Sequence, residues 1–480
     1  MNYKLIIQIL GKLFMLEAVF MLPALLVSVI YNGTDKRAFF ITIMVLFIVG
    51  GMMHLVKPEK KKMFAKDGLI IVSLAWLFLS VFGAFPFFLS GAIPNFADAF
   101  FECVSGFTTT GSTILSEIES LPKGVLFWRS FTHWVGGMGI LVFSLLLLPS
   151  MSGQTQHLMR AESAGPTISK LVPKIKETSK ILYSVYILLT IILVIVLLLA
   201  GMPLYDALVN ALGTAGTGGF SNWNNGIAHY DSIAIDFILS IGMLVFSVSF
   251  SIYFMLIKKK FKEVLQSEEL RFFFIIVGGA TIIIAFNICD MYGSLLQGFR
   301  HALFQVSSII STSGFATTDF NQWPMLSKSV LLILMLLGGC AGSTAGGMKI
   351  IRMLILLKAG KKATKQIIHP RSVLPLQLDG KSVSVNYVMN IAVFLSTYVI
   401  LMGIVILLIS FDNFDFETTF TAALTTISNV GPGFGMVGPM GNFSQFSNFS
   451  KIVLSFCMLA GRLEIYPLLV IFQRDTWKQN

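Results

Sequence analysis

Charge is scarce in this chain: Asp, Glu, Lys and Arg make up 12% of its 480 residues, against 55% hydrophobic. A soluble domain of that composition could not hide its apolar surface, so soluble classes are excluded and a polytopic membrane protein is expected. Cysteine is scarcer still. Cys103, Cys289, Cys340 and Cys457 lie scattered in or beside apolar segments, without metal-ligand spacing, and read as small packing residues. No loop is large enough for a catalytic or nucleotide-binding domain, and the spans hold no His/Glu metal motif or Ser/His/Asp set. An enzyme is therefore not expected, nor a tightly bound cofactor. A cleavable signal peptide is not expected either, because the first apolar run is too long and no small-residue cleavage site follows it.

What is present is a series of long apolar runs, at roughly 6–30, 38–56, 68–89, 125–149, 181–202, 233–257, 271–289, 328–357, 385–411 and 451–473. Each approaches or exceeds the ~20 residues that cross a bilayer, which predicts ten transmembrane helices. The net charge of +11 is concentrated between alternate runs. Lys57, Lys60, Lys61, Lys62 and Lys66 form one cluster, Lys170, Lys174, Lys176 and Lys180 a second, and Lys258, Lys259, Lys260 and Lys262 a third. Lys358, Lys361, Lys362, Lys365 and Arg371 form the fourth. All fall on one side if the runs alternate, and the positive-inside rule makes that side cytoplasmic, together with both termini. The opposite loops carry Asp98, Glu102, Glu117, Glu119, Asp206, Asp231, Asp319, Asp412, Asp415 and Glu417. These carboxylates either concentrate cations at an outer vestibule or simply reflect the topological shortage of Lys and Arg there; both readings stand.

Four of the outer connections share a plan. A short apolar segment, Asn95–Thr108, Leu204–Gly216, Leu295–Ile310 or Phe414–Ile427, leads into a small polar string centred on glycine. The strings are Thr109-Thr110-Gly111-Ser112, Thr217-Gly218-Gly219-Phe220, Thr312-Ser313-Gly314-Phe315 and Asn429-Val430-Gly431-Pro432. The segments are too short to span a bilayer, and non-helical backbone at membrane depth must line water or be buried in protein. Re-entrant hairpins in four internal repeats follow. The expected organisation is an N-terminal two-helix hairpin (1–65), pore repeats at 66–152, 180–260, 270–358 and 384–480, and a cytoplasmic connector at 153–179.

Each half-helix would aim its partially negative C-terminal end at a common centre, which favours a cation there. A permeating cation exchanges its hydration shell for other oxygens, and inward-pointing carbonyls supply them. Glycine permits the dihedrals this needs, so Gly111, Gly219, Gly314 and Gly431 take that role. Thr109, Thr110, Thr217, Gly218, Thr312, Ser313, Asn429 and Val430 would present the carbonyls. A divalent ion calls for carboxylates, and the strings hold none, so potassium is the expected ion. The fourth string lacks hydroxyls, which makes the ring chemically unequal.

Two further features lie deeper. Gly338, Gly339, Gly342, Gly346 and Gly347 crowd the middle of the run 328–357. Glycine costs about 1 kcal/mol per helix position relative to alanine, so unwinding is expected, although membrane glycines also serve close packing. Met348 stands where a phosphate-binding loop needs Lys, which sets that reading aside. Arg462 lies in an apolar run, Phe456–Phe472, that holds one other charge, Glu464; burial there costs about 2.5–3.5 kcal/mol, so it should face a cavity or a partner. It either repels cations below the strings or packs as a paired residue. Arg129 and His133, four residues apart on one helix face, are expected to brace the first string. Lys349 and Arg352 either snorkel or meet a cytoplasmic partner.

The four strings, the stretch Trp128-Arg129-Ser130-Phe131-Thr132-His133-Trp134-Val135-Gly136-Gly137-Met138-Gly139, the segment Gly338–Lys349 and the closing Gly461-Arg462-Leu463-Glu464 resemble the Trk/Ktr/HKT potassium transporter superfamily. The extra N-terminal hairpin is similar to the TrkH/TrkG branch. The resemblance implies an all-α polytopic fold with a pseudo-fourfold pore, a homodimer in the bacterial inner membrane, and a cytoplasmic TrkA-like ring. A nucleotide, ATP/ADP or NAD, would act only through that ring. It implies that K+ passes the filter strings, that the glycine-rich segment with Arg462 is the gate, and that Lys349 and Arg352 make the regulatory contact. In this superfamily a serine at the first filter glycine accompanies sodium permeation, so Gly111 favours potassium. The competing expectations are a less selective K+/Na+ translocator and a secondary transporter of another class, ion-coupled or not.

Overall fold

The computed structural model describes residues 1–58, 65–139, 175–372 and 374–477. The connector residues 153–174, the second half of the run 125–149, and Lys60, Lys61, Lys62, Lys170 and Lys174 fall outside them. The fold is dominated by helices, and its strands among the described residues are one two-residue hairpin, Gln377–Leu378 paired with Lys381–Ser382.

Helices α1 (Tyr3–Ile30) and α2 (Lys36–His54) form the N-terminal hairpin. They cross where Gly11 meets Gly50: a Cβ on Gly11 would lie 2.6 Å from the Gly50 carbonyl. Small residues at such a crossing let backbones touch, which supplies the dispersion contact that drives association inside lipid. Next come α3 (Ala65–Gly83), α4 (Phe85–Leu89), α5 (Phe96–Phe107) and α6 (Lys123–Gly137). They are followed by α7 (Ile175–Leu199), α8 (Leu204–Gly216), α9 (Ile233–Ser247) and α10 (Phe250–Ile257). After α11 (Phe261–Gln266) come α12 (Glu268–Ile288), α13 (Leu295–Ile310), α14 (Met325–Leu337) and α15 (Ile350–Ile368). The chain closes with α16 (Val385–Ile409), α17 (Phe416–Ser428), α18 (Asn448–Arg462), α19 (Tyr466–Phe472) and α20 (Arg474–Trp477). Side-chain caps start many of them: Asn95, Ser232, Ser294, Ser384, Asp415 and Ser447 each accept from an N–H in the first turn.

Among the described residues six helices are long and apolar enough to cross a membrane, and a bent pair makes a seventh. Among the described residues three of the ten apolar runs are interrupted, one of them, 328–357, at the glycines that predict it. The run 233–257 is two helices, α9 and α10, at 90° to each other. The run 328–357 splits into α14 and α15. The run 451–473 breaks at Glu464 and Ile465, which have φ of 54° and 68°. Apolar composition marked these runs correctly but carries no information on where a neighbouring loop interrupts them. Outer faces such as Ile191 and Ile195 on α7, and Phe274, Ile275 and Phe286 on α12, are exposed apolar surface of the kind lipid covers. The four short helices α5, α8, α13 and α17 lie inside, with most of their residues buried.

Candidate functional site

The four short helices end in the same way. The N–H of Thr110 bonds to the Ser105 carbonyl, that of Gly218 to Gly213, that of Ser313 to Ser308 and that of Val430 to Thr425, each at 2.9 Å. These six-residue closures require a left-handed residue just before, as in a Schellman cap. That residue is Thr109, Thr217, Thr312 or Asn429, with φ of 57°, 57°, 58° and 54°. A β-branched residue there is a genuine outlier, and such strain, of order 1–3 kcal/mol per residue, persists only where the surroundings impose it. Sequence reasoning gave the unusual dihedrals to the central glycines instead. Gly111, Gly314 and Gly431 do have positive φ (85°, 79° and 102°), whereas Gly219 lies outside the left-handed region.

The strings meet in a closed cycle. A Cβ on Gly111 would lie 2.8 Å from Gly219 N, one on Gly219 2.5 Å from Ser313 O, and one on Gly431 2.6 Å from Thr110 O. Gly314 abuts Val430 O in the same manner. Each central glycine thus makes room for the backbone of another string. Gly431 O accepts from the Ser112 hydroxyl at 3.1 Å. Among the described residues no donor reaches the carbonyls of Thr109, Thr110, Gly111, Thr217, Gly218, Gly219, Thr312, Ser313, Gly314, Asn429 or Val430. Backbone carbonyls are normally paired, so a cycle of unpaired ones presents oxygens of the kind a cation takes as ligands. Above it opens a cavity of about 130 Å³ lined by Gly111, Ser112, Gly219, Gly314 and Gly431 among others.

Residues that the sequence did not connect hold the cycle in place. Glu102 on α5 accepts from Arg129 Nε on α6 at 2.6 Å, from the Thr113 hydroxyl and from Ile114 N–H. Arg129 also donates to the Ser221 carbonyl at 2.8 Å and stacks 3.6 Å from the Phe220 ring centroid. The pair is fully buried and ties the first string to the second. His133 sits between Gly106 O, 2.8 Å away, and Phe220 N–H, at 3.4 Å. Arg129 and His133 thus brace two strings rather than one. Asn429 supplies what the fourth string lacks in hydroxyls: its amide donates to Thr110 Oγ1 and to Met458 O, both at 2.9 Å.

The carboxylates do not line the cavity. Glu102 and Asp206 are buried; Asp206 accepts from Asn222, Trp223 and Tyr230. Asp98 pairs with Lys451, Asp231 with Arg300 and Glu417 with Lys328, while Asp319 and Asp415 cap helices. Several of these groups brace the scaffold, and the cavity lining holds no carboxylate, while Glu117 and Glu119 are exposed beside the lining residues Ser116 and Ile118.

On the other side of the strings lies the glycine-rich segment between α14 and α15. Gly338, Gly342 and Gly347 have φ of 68°, 72° and 72°, so the expected unwinding is present. The segment is pinned on several sides. Gly346 N–H donates to Thr312 Oγ1 at 2.6 Å and Gly347 N–H to Ser428 O at 2.8 Å. Cys340 N–H donates to Ser247 O, Phe250 N–H to Gly342 O, and Ala341 N–H to Glu269 Oε1. The contacts with Ser247 and Phe250 fall where α9 turns into α10, a break with no glycine to announce it. A Cβ on Gly339 would lie 3.1 Å from Ser247 O, so close backbone approach explains a glycine there too.

Arg462 reaches this segment. It donates to Thr344 O at 2.8 Å and, through its other terminal nitrogen, to Gly136 O (2.5 Å) and Gly137 O (2.8 Å) at the end of α6. A cation at helix-terminal carbonyls is favourably placed. Lys349 and Arg352, expected at the cytoplasmic surface, are buried. Lys349 donates to Ala345 O, and Arg352 pairs with Glu464 at 2.6 Å and lies 4.1 Å from the Phe394 ring centroid. Neither is accessible to a partner in this conformation. Among the described residues no cluster of His, Cys, Asp or Glu could hold a metal ion.

Comparison with known proteins accords with this geometry. Residues 35–478 match the TrkH family, described as cation transport protein. The Trk system potassium uptake protein TrkH of Halomonas elongata is 34% identical over the full length of both chains. That of Escherichia coli is 35% identical, again over both full lengths, and E. coli TrkG is 33% identical over 99% of each. The crystal structure of the potassium transporter TrkH from Vibrio parahaemolyticus superposes with a TM-score of 0.89 at 34% identity, covering both chains completely.

Proposed function

This chain belongs to the TrkH family of cation transport proteins, a transporter family and not an enzyme family, and we propose that it is the potassium-translocating subunit of a Trk-type uptake system. The observation that carries the reading is the closed cycle of strings whose carbonyls find no donor among the described residues. Potassium sheds its hydration shell more readily than smaller or divalent ions, and neutral carbonyls suit it. In this reading Thr109, Thr110, Gly111, Thr217, Gly218, Gly219, Thr312, Ser313, Gly314, Asn429, Val430 and Gly431 form the filter. The short helices are re-entrant, the four units at 66–152, 180–260, 270–358 and 384–480 surround one pore, and residues 1–65 flank it. The segment Gly338–Gly347 with Arg462 is the gate. The protein resides in the bacterial inner membrane with both termini cytoplasmic, as a homodimer with a TrkA-like nucleotide-binding ring.

A secondary transporter with broken helices would aim half-helix N-termini at its substrate. Here the C-terminal ends of α5, α8, α13 and α17 lead into the strings, which favours a cation. The test is growth of a potassium-uptake-deficient bacterium at low external potassium, with the chain and its ring partner co-expressed. Rescue is the expected result. No rescue with both proteins present in the membrane would overturn the assignment.

A further inference from the structure

The three threonines that turn the strings have different partners. Thr109 Oγ1 is buried and finds none, Thr217 Oγ1 donates to Gly216 O at 2.6 Å, and Thr312 Oγ1 accepts from Gly346 N–H at 2.6 Å. Among the described residues, Thr312 is thus the one of the three that binds the glycine-rich segment through its hydroxyl. One residue on, Gly347 N–H donates to Ser428 O, the last helical carbonyl of α17. A Cβ on Gly346 would lie 2.5 Å from that carbonyl and 3.0 Å from Asn429 Cβ. Two successive N–H groups of the segment are therefore seated on the left-handed turn of the third string and on the residue that precedes the turn of the fourth. We propose that Thr312 is a positioning residue that latches the gate to the filter: its hydroxyl holds Gly346 in the closed state and is released toward the ion path when the segment moves. The proposal rests on the filter-and-gate reading above. It goes further by making the same side chain serve string geometry and gate closure, so that the two are coupled.

The bond belongs to a buried site, so opening must replace it. Thr312, Ser313 and Ser428 are all fully buried, as is Thr344 two residues before Gly346. A single such bond is worth about 1 kcal/mol net, which corresponds to about a fivefold change in the closed-to-open ratio. Cys340 lies in the same segment and is buried, so its alkylation reports release of the segment without reference to any ion.

The experiment compares Thr312→Val, which keeps the branched Cβ but removes the acceptor, with Thr312→Ser, which keeps the hydroxyl. Full-length protein in proteoliposomes is alkylated with a maleimide, and modification of Cys340 is followed by mass spectrometry alongside potassium flux. Thr312→Val should raise the Cys340 modification rate about fivefold and increase flux, and Thr312→Ser should restore both. Gly346→Ala, which leaves Thr312 intact but crowds Ser428 O, should also speed modification and covers the case in which the valine variant fails to fold. Unchanged Cys340 protection in the folded variants would overturn the latch, as would equal acceleration by valine and serine. Absence of potassium flux in the unsubstituted chain would instead count against the transport reading and leave the alkylation result standing.

Discussion

Arg129 shows how a single residue can hold two strings at once. Its guanidinium bonds the buried Glu102 carboxylate on one side and the Ser221 carbonyl on the other, with its plane against Phe220. Removing either partner of a buried ion pair leaves an uncompensated charge and costs roughly 3–5 kcal/mol. Glu102→Gln and Arg129→Gln should each lower thermal stability in detergent by that order, and the double variant should lose clearly less than the sum. Additive losses would mean that the two act independently. Asp415, at the exposed start of α17, is the opposite case. Its carboxylate accepts from Thr418 N–H and hydroxyl at 2.9 and 2.7 Å, and these bonds hold its pKa below the ordinary carboxylate value. A folded pKa below the unfolded one means the contribution is present above about pH 4 and fades as pH falls through the folded value. Asp415→Ala should cost about 1 kcal/mol at neutral pH, and the difference from the unsubstituted protein should shrink on acidification; a pH-independent gap in melting temperature would contradict this. At this scale the sequence was legible in part. The glycines and the string positions could be read from the chain, but Thr109, Thr217 and Thr312 in left-handed geometry could not, because intrinsic preference opposes it and only tertiary contacts impose it. Glu102 read as a loop acid because nothing local reveals a partner 27 positions away.

Elements break here for two different physical reasons. Between α14 and α15 five glycines weaken the helix, so composition alone announces the interruption. Between α9 and α10, Val248 and Ser249 are ordinary residues. That bend is held by Cys340 N–H on Ser247 O and by Phe250 N–H on Gly342 O, contacts about ninety positions away in sequence that no periodicity encodes. The same cross-links fix the glycine-rich segment from several directions, with Arg462 joining Thr344 to the end of α6. Arg462→Ala removes those bonds and a positive charge, and should raise potassium flux in proteoliposomes several-fold. Reduced flux in a folded variant would contradict a gating role.

For the whole molecule, the apolar runs were the most legible property, because a chain that crosses a bilayer carries that mark in its composition. The buried positions of Glu102, Asp206, Lys349 and Arg352 were not, since charge in a sequence says nothing of which face a side chain takes. What unifies the described residues is that α5, α8, α13 and α17 lead into one cycle of backbone, and that the glycine-rich segment is bonded to that cycle through Gly346 and Thr312. In the proposed function this cycle selects the ion. Its most direct test is the ratio of potassium to sodium flux through purified protein in proteoliposomes, measured for the unsubstituted chain and for Gly111→Ser, whose Cβ would fall 2.8 Å from Gly219 N. Clear preference for potassium is expected in the former and increased sodium flux in the latter; equal discrimination in both would rule out ion selection by this cycle.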